Sequence, residues 1–490
     1  MSQYPFTTVI GLEVHVQLKT ASKLFCGCST EFGAPPNTHV CPLCLGLPGA
    51  LPVINEKALE LSALAGLALH CDLPPVTKWD RKQYFYPDLP KGYQTSQFDM
   101  PICADGFLEI EDPADANQTV RIGIIRAHLE EDAGKSMHDE VAGRADSRID
   151  LNRCGTPLLE IVSEPDLRTA EQCVAFLTKL REMMVHLGVS DCEMQEGSLR
   201  VDANVNLHID RNGEVIATPI VEIKNMNSFR NVAAALAYEV DRQYEEWETK
   251  GHTIKTHGKR TFGWDDGKQV TYPQREKEES ADYRYFPCPD LLPVRLTEAQ
   301  REKVRSMFTE LPQQARERLQ SQYDVTAYDA DVIVSAGPEM LAYYDSVATA
   351  CGDGKRASSW VQQDVMRSIK EQGISVDQFA ISADQLAALI QCIIAGELAN
   401  NRARDVFEHM LDKGVAMDQA MKDLGIEQVD DSEIESLVAD LLSKNPRVVD
   451  DVKGGNAKAV GALIGQARKA NPNANPQQVR ELALKMIEQM

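Results

Sequence analysis

Carboxylates and imidazoles recur at three places in this chain, in spacings that suit a hard metal ion. In VIGLEVHVQL (9–18), Glu13, His15 and Gln17 alternate with Leu12, Val14, Val16 and Leu18. Residues two apart on a pleated strand project to the same side, so Glu13 and His15 can share a cation more readily than a direct hydrogen bond. Taken alone, such a strand reads first as a wetted polar face over an apolar core. The second centre is RIGIIRAHLEEDAGK (121–135), where His128 precedes Glu130 by two and Glu131 and Asp132 follow before the Ala133-Gly134 turn. Alternation puts Glu130 on the His128 face and turns Glu131 the other way unless the strand bends there. The third is LLEIV (158–162), where Glu160 interrupts an apolar run and is costly unless paired, hydrogen-bonded or bound to metal. Three strand-borne acidic centres, two of them with an imidazole, suit magnesium, which in proteins most often serves a nucleotide phosphate.

A nucleotide needs cations. WDRKQYFYPDLPKGYQTSQ (79–97) sets Arg81, Lys82 and Lys91 among Tyr84, Phe85, Tyr86 and Tyr93. That segment reads equally as a cover for a nucleotide or as a proline-rich surface loop with packed aromatics. Arg153, Arg200 and Lys224 lie in or beside other polar strand faces. Four of the 12 cysteines, Cys26, Cys28, Cys41 and Cys44, form a C-x-C-x12-C-x2-C cluster. This spacing fits a closed, structural tetrahedral zinc site, with His39 able to replace one thiol. Cys154 has no flanking base and reads as a buried thiol. There is no phosphate-binding G-x-x-x-x-G-K-[ST] loop, no dinucleotide G-x-G-x-x-G and no G-x-S-x-G elbow, so nothing suggests a nucleophilic hydrolase.

These residues must be positioned by a mixed first part, expected over 1–293, of alternating strands and amphipathic helices. VDANVNLHID (201–210) alternates cleanly, and VEIKN (221–225) puts Glu222 and Lys224 on one face. Helices are expected over 55–70, over 169–187 capped by Thr169 and stopped by Gly188, and over 228–249 capped by Ser228 with Gly251 beyond. Strands followed by long single helices suggest an α+β class with an open antiparallel sheet whose exposed side forms a concave site. Beyond Pro293 the period is helical, which gives an all-helical domain over 294–396 and a helical tail over 397–490. In the tail, Lys453, Lys458, Arg468 and Lys469 supply local positive charge beside several glycines. The formal net charge of -23 disfavours a sequence-blind nucleic-acid coat, so any polyanion must meet such local patches. With no run of about eighteen apolar residues, no membrane partner is expected. A strand begins within about ten residues of the start, leaving no room for an export signal, so a cytoplasmic protein with reduced thiols is expected.

Taken together, IGLEVHVQL, CLGLPGALPVIN, DRKQYFYPDLPKGYQ, HLEEDAGKS, DLNRCGTPLLEIVSEPD, EGSLRVDANVNL, VEIKNMNSFR, DYRYFPCPDL and KAVGALIGQ span the chain in order. They resemble the B subunit of the aspartyl/glutamyl-tRNA amidotransferases. The resemblance implies an ATP-dependent kinase and transamidase that phosphorylates the side-chain carboxylate of Glu-tRNA(Gln) or Asp-tRNA(Asn). Ammonia from the amidase partner, the A subunit, then displaces phosphate, and a small third partner, the C subunit, completes a heterotrimer. It implies a cradle similar to the glutamine synthetase and guanidino kinase fold, and tRNA recognition by the helical and tail parts. Metal and catalytic roles fall by this resemblance on Glu13, His15, Glu130, Glu131 and Glu160. Lys82, Arg153 and Lys224 become candidates for nucleotide or substrate contacts. TYPQREKEESADYRYF (271–286) departs from the family's shorter run, which leaves Arg275 and Lys277 without an assigned role. The four-cysteine cluster varies among members, so zinc rests on the residues themselves. Two other readings are a stand-alone ATP-dependent ligase of ammonia and a free small acid, and a zinc-bearing RNA adapter. The first leaves the helical tail unexplained and the second leaves the acids unexplained.

Overall fold

The computed structural model describes residues 4–138, 147–274, 283–308, 310–426, 431–454, 456–471 and 476–489. Arg275 and Lys277 lie outside them. The chain divides into two compact units, Met1–Pro312 and Gln313–Met490.

Clean alternation builds the first unit. In the opening strand Phe6–Gln17, Ile10, Leu12, Val14 and Val16 are buried while Glu13, His15 and Gln17 are only half-buried. The strand pairs on one side with Leu199–Arg211 and on the other with Pro157–Ser163, both antiparallel. These strands lie near the middle of a 12-stranded sheet. On one flank run Ile220–Lys224, Lys259–Asp265 and Val270–Pro273; on the other run Asp115–Glu131, Tyr93–Ser96, Asp80–Gln83 and Phe286–Pro287. The expected antiparallel sheet needs one correction, because Ile220–Lys224 and Lys259–Asp265 run parallel and the sheet is mixed. The reason lies between them in sequence: the 22-residue helix Phe229–Lys250 carries the chain back to the same end before the next strand begins.

One face of the sheet is covered by helices. Glu56–Ala68, Ala170–His186 and Phe229–Lys250 send Leu61, Leu64, Phe176, Leu180, Val232 and Leu236 into a core shared with Leu12, Val14, Leu159 and Val201. The helix ends follow local chemistry. Thr169 accepts from the Gln172 amide, Ser228 accepts from the Asn231 amide, and Gly251 closes the third helix at φ 69°, a left-handed conformation that glycine adopts without strain.

The strand Asp115–Glu131 departs from simple alternation. Ile124 faces Ser163 across the ladder but Arg126 faces Val162, so Ile125 is an extra residue in a bulge. Before the bulge the even positions Ile122 and Ile124 point to the core; after it the odd positions Ala127 and Leu129 do. His128 and Glu130 are thereby carried to the opposite face.

In the second unit, short helices between Ala327–Ser335 and Met417–Asp423 pack around Tyr344, Trp360, Leu389 and Phe407. This cluster runs without a break across residue 396, through Leu398, Ala403 and Val406. A separate apolar cluster joins Ile434, Val438 and Leu442 of Asp431–Lys444 to Leu463 of Gly461–Ala470 and Val479 of Pro476–Gln489. Among the described residues no helix is long and apolar enough to cross a membrane.

Candidate active site and four-cysteine centre

Antiparallel register assembles the site from three strands that are distant in sequence. His15 lies directly across from Glu160, and Glu160 lies directly across from His128 on its other side. Directly opposed residues share a face, so the three form a row on the side of the sheet away from the helices, with Glu130 one step along. The His15 Nε2 atom stands 3.3 Å from Glu160 Oε2 and 3.7 Å from Glu130 Oε1. The His128 Nε2 atom stands 3.6 Å from Glu160 Oε2 and 3.9 Å from Glu130 Oε2. One ligand atom each from His15, Glu130 and Glu160 falls within 4.8 Å of the others.

The electrostatics are those of a site short of positive charge. Burial works against a charged His15, yet the hydrogen bond and charge of Glu160, joined by Glu130, carry it up to about 9. Burial, then the nearby Glu160 charge, pushes Glu130 up to about 7. Burial pulls His128 down to about 4. Burial also opposes ionisation of Glu160, but the His128 and His15 imidazoles hold its carboxyl well below the usual range. Among the described residues neither Glu130 nor Glu160 is paired with a lysine or arginine. A divalent ion fits this donor set: two carboxylates converge with no lysine or arginine paired to them among the described residues, and an ion would supply the charge that protons on His15 and Glu130 otherwise bring.

Several expected partners lie elsewhere. Glu131 turns toward the core side of its strand, where Lys91 binds its carboxylate and the Thr95 amide donates to it at 2.8 Å. Its place in the ligand set is therefore corrected, and Lys91, expected to meet a nucleotide, is engaged by this buried pair. Glu13 shares the polar face but lies one row along, opposite Asp202 and Val162, and accepts from Asn204 Nδ2 at 2.9 Å. His128, left out of the expected ligands although alternation placed it beside Glu130, belongs to the cluster. The alternation of His128 with Glu130, the reverse of the Glu13 and His15 order in the opening strand, was the signal for it.

The cations divide into engaged and open. Arg81 is paired with Asp290 and lies over the Tyr93 ring. Arg153 donates to the Ala133 and Gly134 carbonyls, which fixes the turn after Asp132, and Arg200 pairs with Asp132 at 2.9 Å. Lys224 is held between Asp202 and Glu222. Lys82 lies over the Tyr283 ring at 5.0 Å, has no carboxylate partner among the described residues, and senses the charges of Glu130 and Glu160. Tyr86 is 63% exposed and meets Tyr84 edge-on. In the tail, Lys453 and Lys469 are exposed, whereas the side chains of Lys458 and Arg468 lie outside the described ones.

The four cysteines converge as the spacing suggests. Their sulfurs lie within 4.8 Å of one another, with Cys44 Sγ 3.7 Å from both Cys26 Sγ and Cys41 Sγ. Tetrahedral zinc with Zn–S bonds of about 2.3 Å requires sulfurs about 3.8 Å apart, so these residues fit that ion. His39 does not join them; its backbone carbonyl accepts from Lys23 instead. Cys154 is buried, and burial, then the charge of Glu131, pushes its thiol up to about 12.

The model of the GatB/GatE catalytic domain family matches residues 8–302, and that of the GatB domain matches residues 342–487. The B subunit of the aspartyl/glutamyl-tRNA(Asn/Gln) amidotransferase of Rhodopirellula baltica is 64% identical over 488 residues, covering 100% of this chain and 98% of that protein. The proteins of the same description from Trichlorobacter lovleyi and Thermoanaerobacter sp. are 46% and 43% identical, each over 97% of this chain and 98% of its own length. With such identity along the whole length and both family models matched, the chain belongs to the family of aspartyl/glutamyl-tRNA(Asn/Gln) amidotransferase B subunits.

Proposed function

We propose that the chain is the ATP-dependent kinase and transamidase component of a tRNA-dependent amidotransferase. The observation that carries the reading is the convergence of Glu130 and Glu160 with His15 and His128 on the side of the sheet away from the helices, with no lysine or arginine ion pair to either carboxylate among the described residues. A side-chain carboxylate oxygen of Glu-tRNA(Gln) or Asp-tRNA(Asn) attacks the γ-phosphorus of ATP, and ADP leaves. Ammonia then attacks the acyl carbon of the mixed anhydride, loses a proton, and expels phosphate. Magnesium, when bound, offsets the phosphate charge and aligns donor with acceptor.

The chain's own residues prepare that chemistry. Glu130 and Glu160 would hold the ion through oxygen, its preferred donor, and His15 fixes the Glu160 carboxylate from the next strand. Lys82, with no carboxylate partner among the described residues, is placed to meet an anionic group of ATP or acceptor. Arg153 and Arg200 hold Asp132 and the turn behind the site.

The same reading assigns structural zinc to the four cysteines, and tRNA contacts to the tail with Lys453, Lys458, Arg468 and Lys469. It also assigns an amidase and a small third protein as cytoplasmic partners in a heterotrimer, and it keeps a cradle akin to glutamine synthetase and the guanidino kinases over 1–293, followed by all-helical parts. The test gives the purified complex ATP, magnesium and ammonium with either Glu-tRNA(Gln) or free glutamate, and follows phosphate release and amide formation. Turnover of free glutamate without tRNA would favour a stand-alone ligase, and no ATP consumption with any acceptor would favour an RNA adapter; either result sinks the proposal.

A further inference from the structure

Lys23 has no exposed surface, and among the described residues no carboxylate pairs with it. Its ammonium donates to the His39 carbonyl at 2.7 Å, the Leu151 carbonyl at 3.2 Å and Cys44 Sγ at 3.4 Å. An ammonium has three N–H groups, so every donor is engaged. Two of the acceptors are neutral carbonyls, and the Cys44 sulfur alone can carry a full negative charge. A buried cation without a countercharge is costly, and one placed against a sulfur of a four-thiol cluster has its countercharge there.

The charge balance works from the other side as well. Zinc with four thiolates carries a net double negative charge in a partly buried loop, and one fixed ammonium at a ligand sulfur halves it. The third contact reaches further. Leu151 opens the turn of Asn152, Arg153, Cys154 and Gly155, the Gly155 carbonyl accepts from the Leu24 amide at 2.8 Å, and the chain then enters the Glu160 strand.

We infer that Lys23 is the charge-balancing residue of the four-cysteine centre and the link by which that centre holds the turn leading into the Glu160 strand. The inference rests on the zinc reading above and names a residue outside the ligand set. It is tested on the full chain by three measurements: bound zinc by metal analysis, zinc affinity by competition with a chelator, and backbone hydrogen exchange over residues 151–156 with and without zinc. Wild type should carry zinc, and Cys44→Ala should lose it. Lys23→Met and Lys23→Gln should each weaken zinc binding by about 10- to 100-fold, the scale of outer-sphere ligand partners. Exchange over 151–156 should rise when wild type is stripped of zinc and be raised already in the loaded variants. Lys23→Arg, which keeps the charge, should lie nearer to wild type than Lys23→Gln, and this pair decides the matter if Lys23→Met does not fold. Zinc affinity unchanged within about twofold in Lys23→Met, or equal losses in Lys23→Arg and Lys23→Gln, would overturn the role of Lys23 while leaving the zinc site standing. Wild type without zinc, unaffected by Cys44→Ala, would remove both.

Discussion

Replacing Lys91 by methionine keeps most of the stem of the side chain and leaves the Glu131 carboxylate buried with, among the described residues, only the Thr95 amide to satisfy it. The two side chains are 9% and 3% exposed. Removing one partner of a buried ion pair typically costs about 3–5 kcal/mol, because the remaining charge keeps its desolvation penalty without its countercharge. At roughly 2–4 °C per kcal/mol for a large domain, the melting temperature of the first unit should fall by about 6–20 °C. Glu131→Gln should fall by a similar amount, since it strands the ammonium instead. The double variant Lys91→Met/Glu131→Gln should lose clearly less than the two single losses added together, because neither stranded charge remains.

The assay is thermal unfolding of the four proteins together with magnesium titration of each. Metal affinity should stay within a few-fold of wild type throughout, because Glu131 lies on the core side of its strand while His15, Glu130 and Glu160 line the other face. If Glu131→Gln abolished metal binding and left the melting temperature unchanged, the assignment of Glu131 to the buried pair would be wrong.

Other perturbations separate the roles of neighbouring residues. Glu160→Gln should lower magnesium affinity by at least about 10-fold, whereas Glu13→Gln, one row away, should change it far less; isothermal titration compares the two. Deleting Ile125 removes the bulge and returns His128 and Glu130 to the core face, so the shortened chain should be insoluble or bind no metal, and a soluble variant with intact metal binding would contradict the register. For acid stability, burial opposes ionisation of Glu246 but the Arg242 hydrogen bond and charge, with Arg260, bring its carboxyl down to about 2. A depressed carboxyl stabilises the fold above its unfolded value of about 4.5 and loses that contribution as pH falls toward 2. Glu246→Gln should therefore cost about 1 kcal/mol in urea unfolding at pH 7, allowing for solvent screening, and almost nothing near pH 2.

Much of this architecture is written locally. Thr169 and Ser228 are capping residues that mark their helix starts to within a residue, and Leu12, Val14 and Val16 alternate so regularly that the polar face of the opening strand follows from them alone. The four cysteines converge because two close pairs need only one loop between them. The parallel pair of strands was not legible, since direction depends on where the helix Phe229–Lys250 returns the chain, and no residue in either strand records that. The engagement of Lys91 by Glu131 was hidden for a related reason: 40 residues separate them, and only the stacking of Tyr93–Ser96 beside Asp115–Glu131 brings them together.

The face of Glu130 shows where a period-two reading stops being sufficient. Carried through Ile122, Ile124, His128 and Glu130 without interruption, it would place two isoleucines and two titratable groups on the same side, so that either the isoleucines would leave the apolar core or His128 and Glu130 would enter it. The bulge at Ile125 removes the conflict by changing phase once, so that Ile122 and Ile124 pack in the core beneath the sheet while His128 and Glu130, also buried, lie on its other face. Ile125 itself is 39% exposed, as expected of a residue that has left the ladder. The ladder then fixes the rest: with Arg126 set against Val162, His128 must lie opposite Glu160, and His15, across the next strand, opposite the same carboxylate. One unpaired isoleucine thus determines which side of the sheet the ligand row occupies, and the conflict between apolar and ionisable residues at one parity is what a sequence offers as the sign of such a bulge.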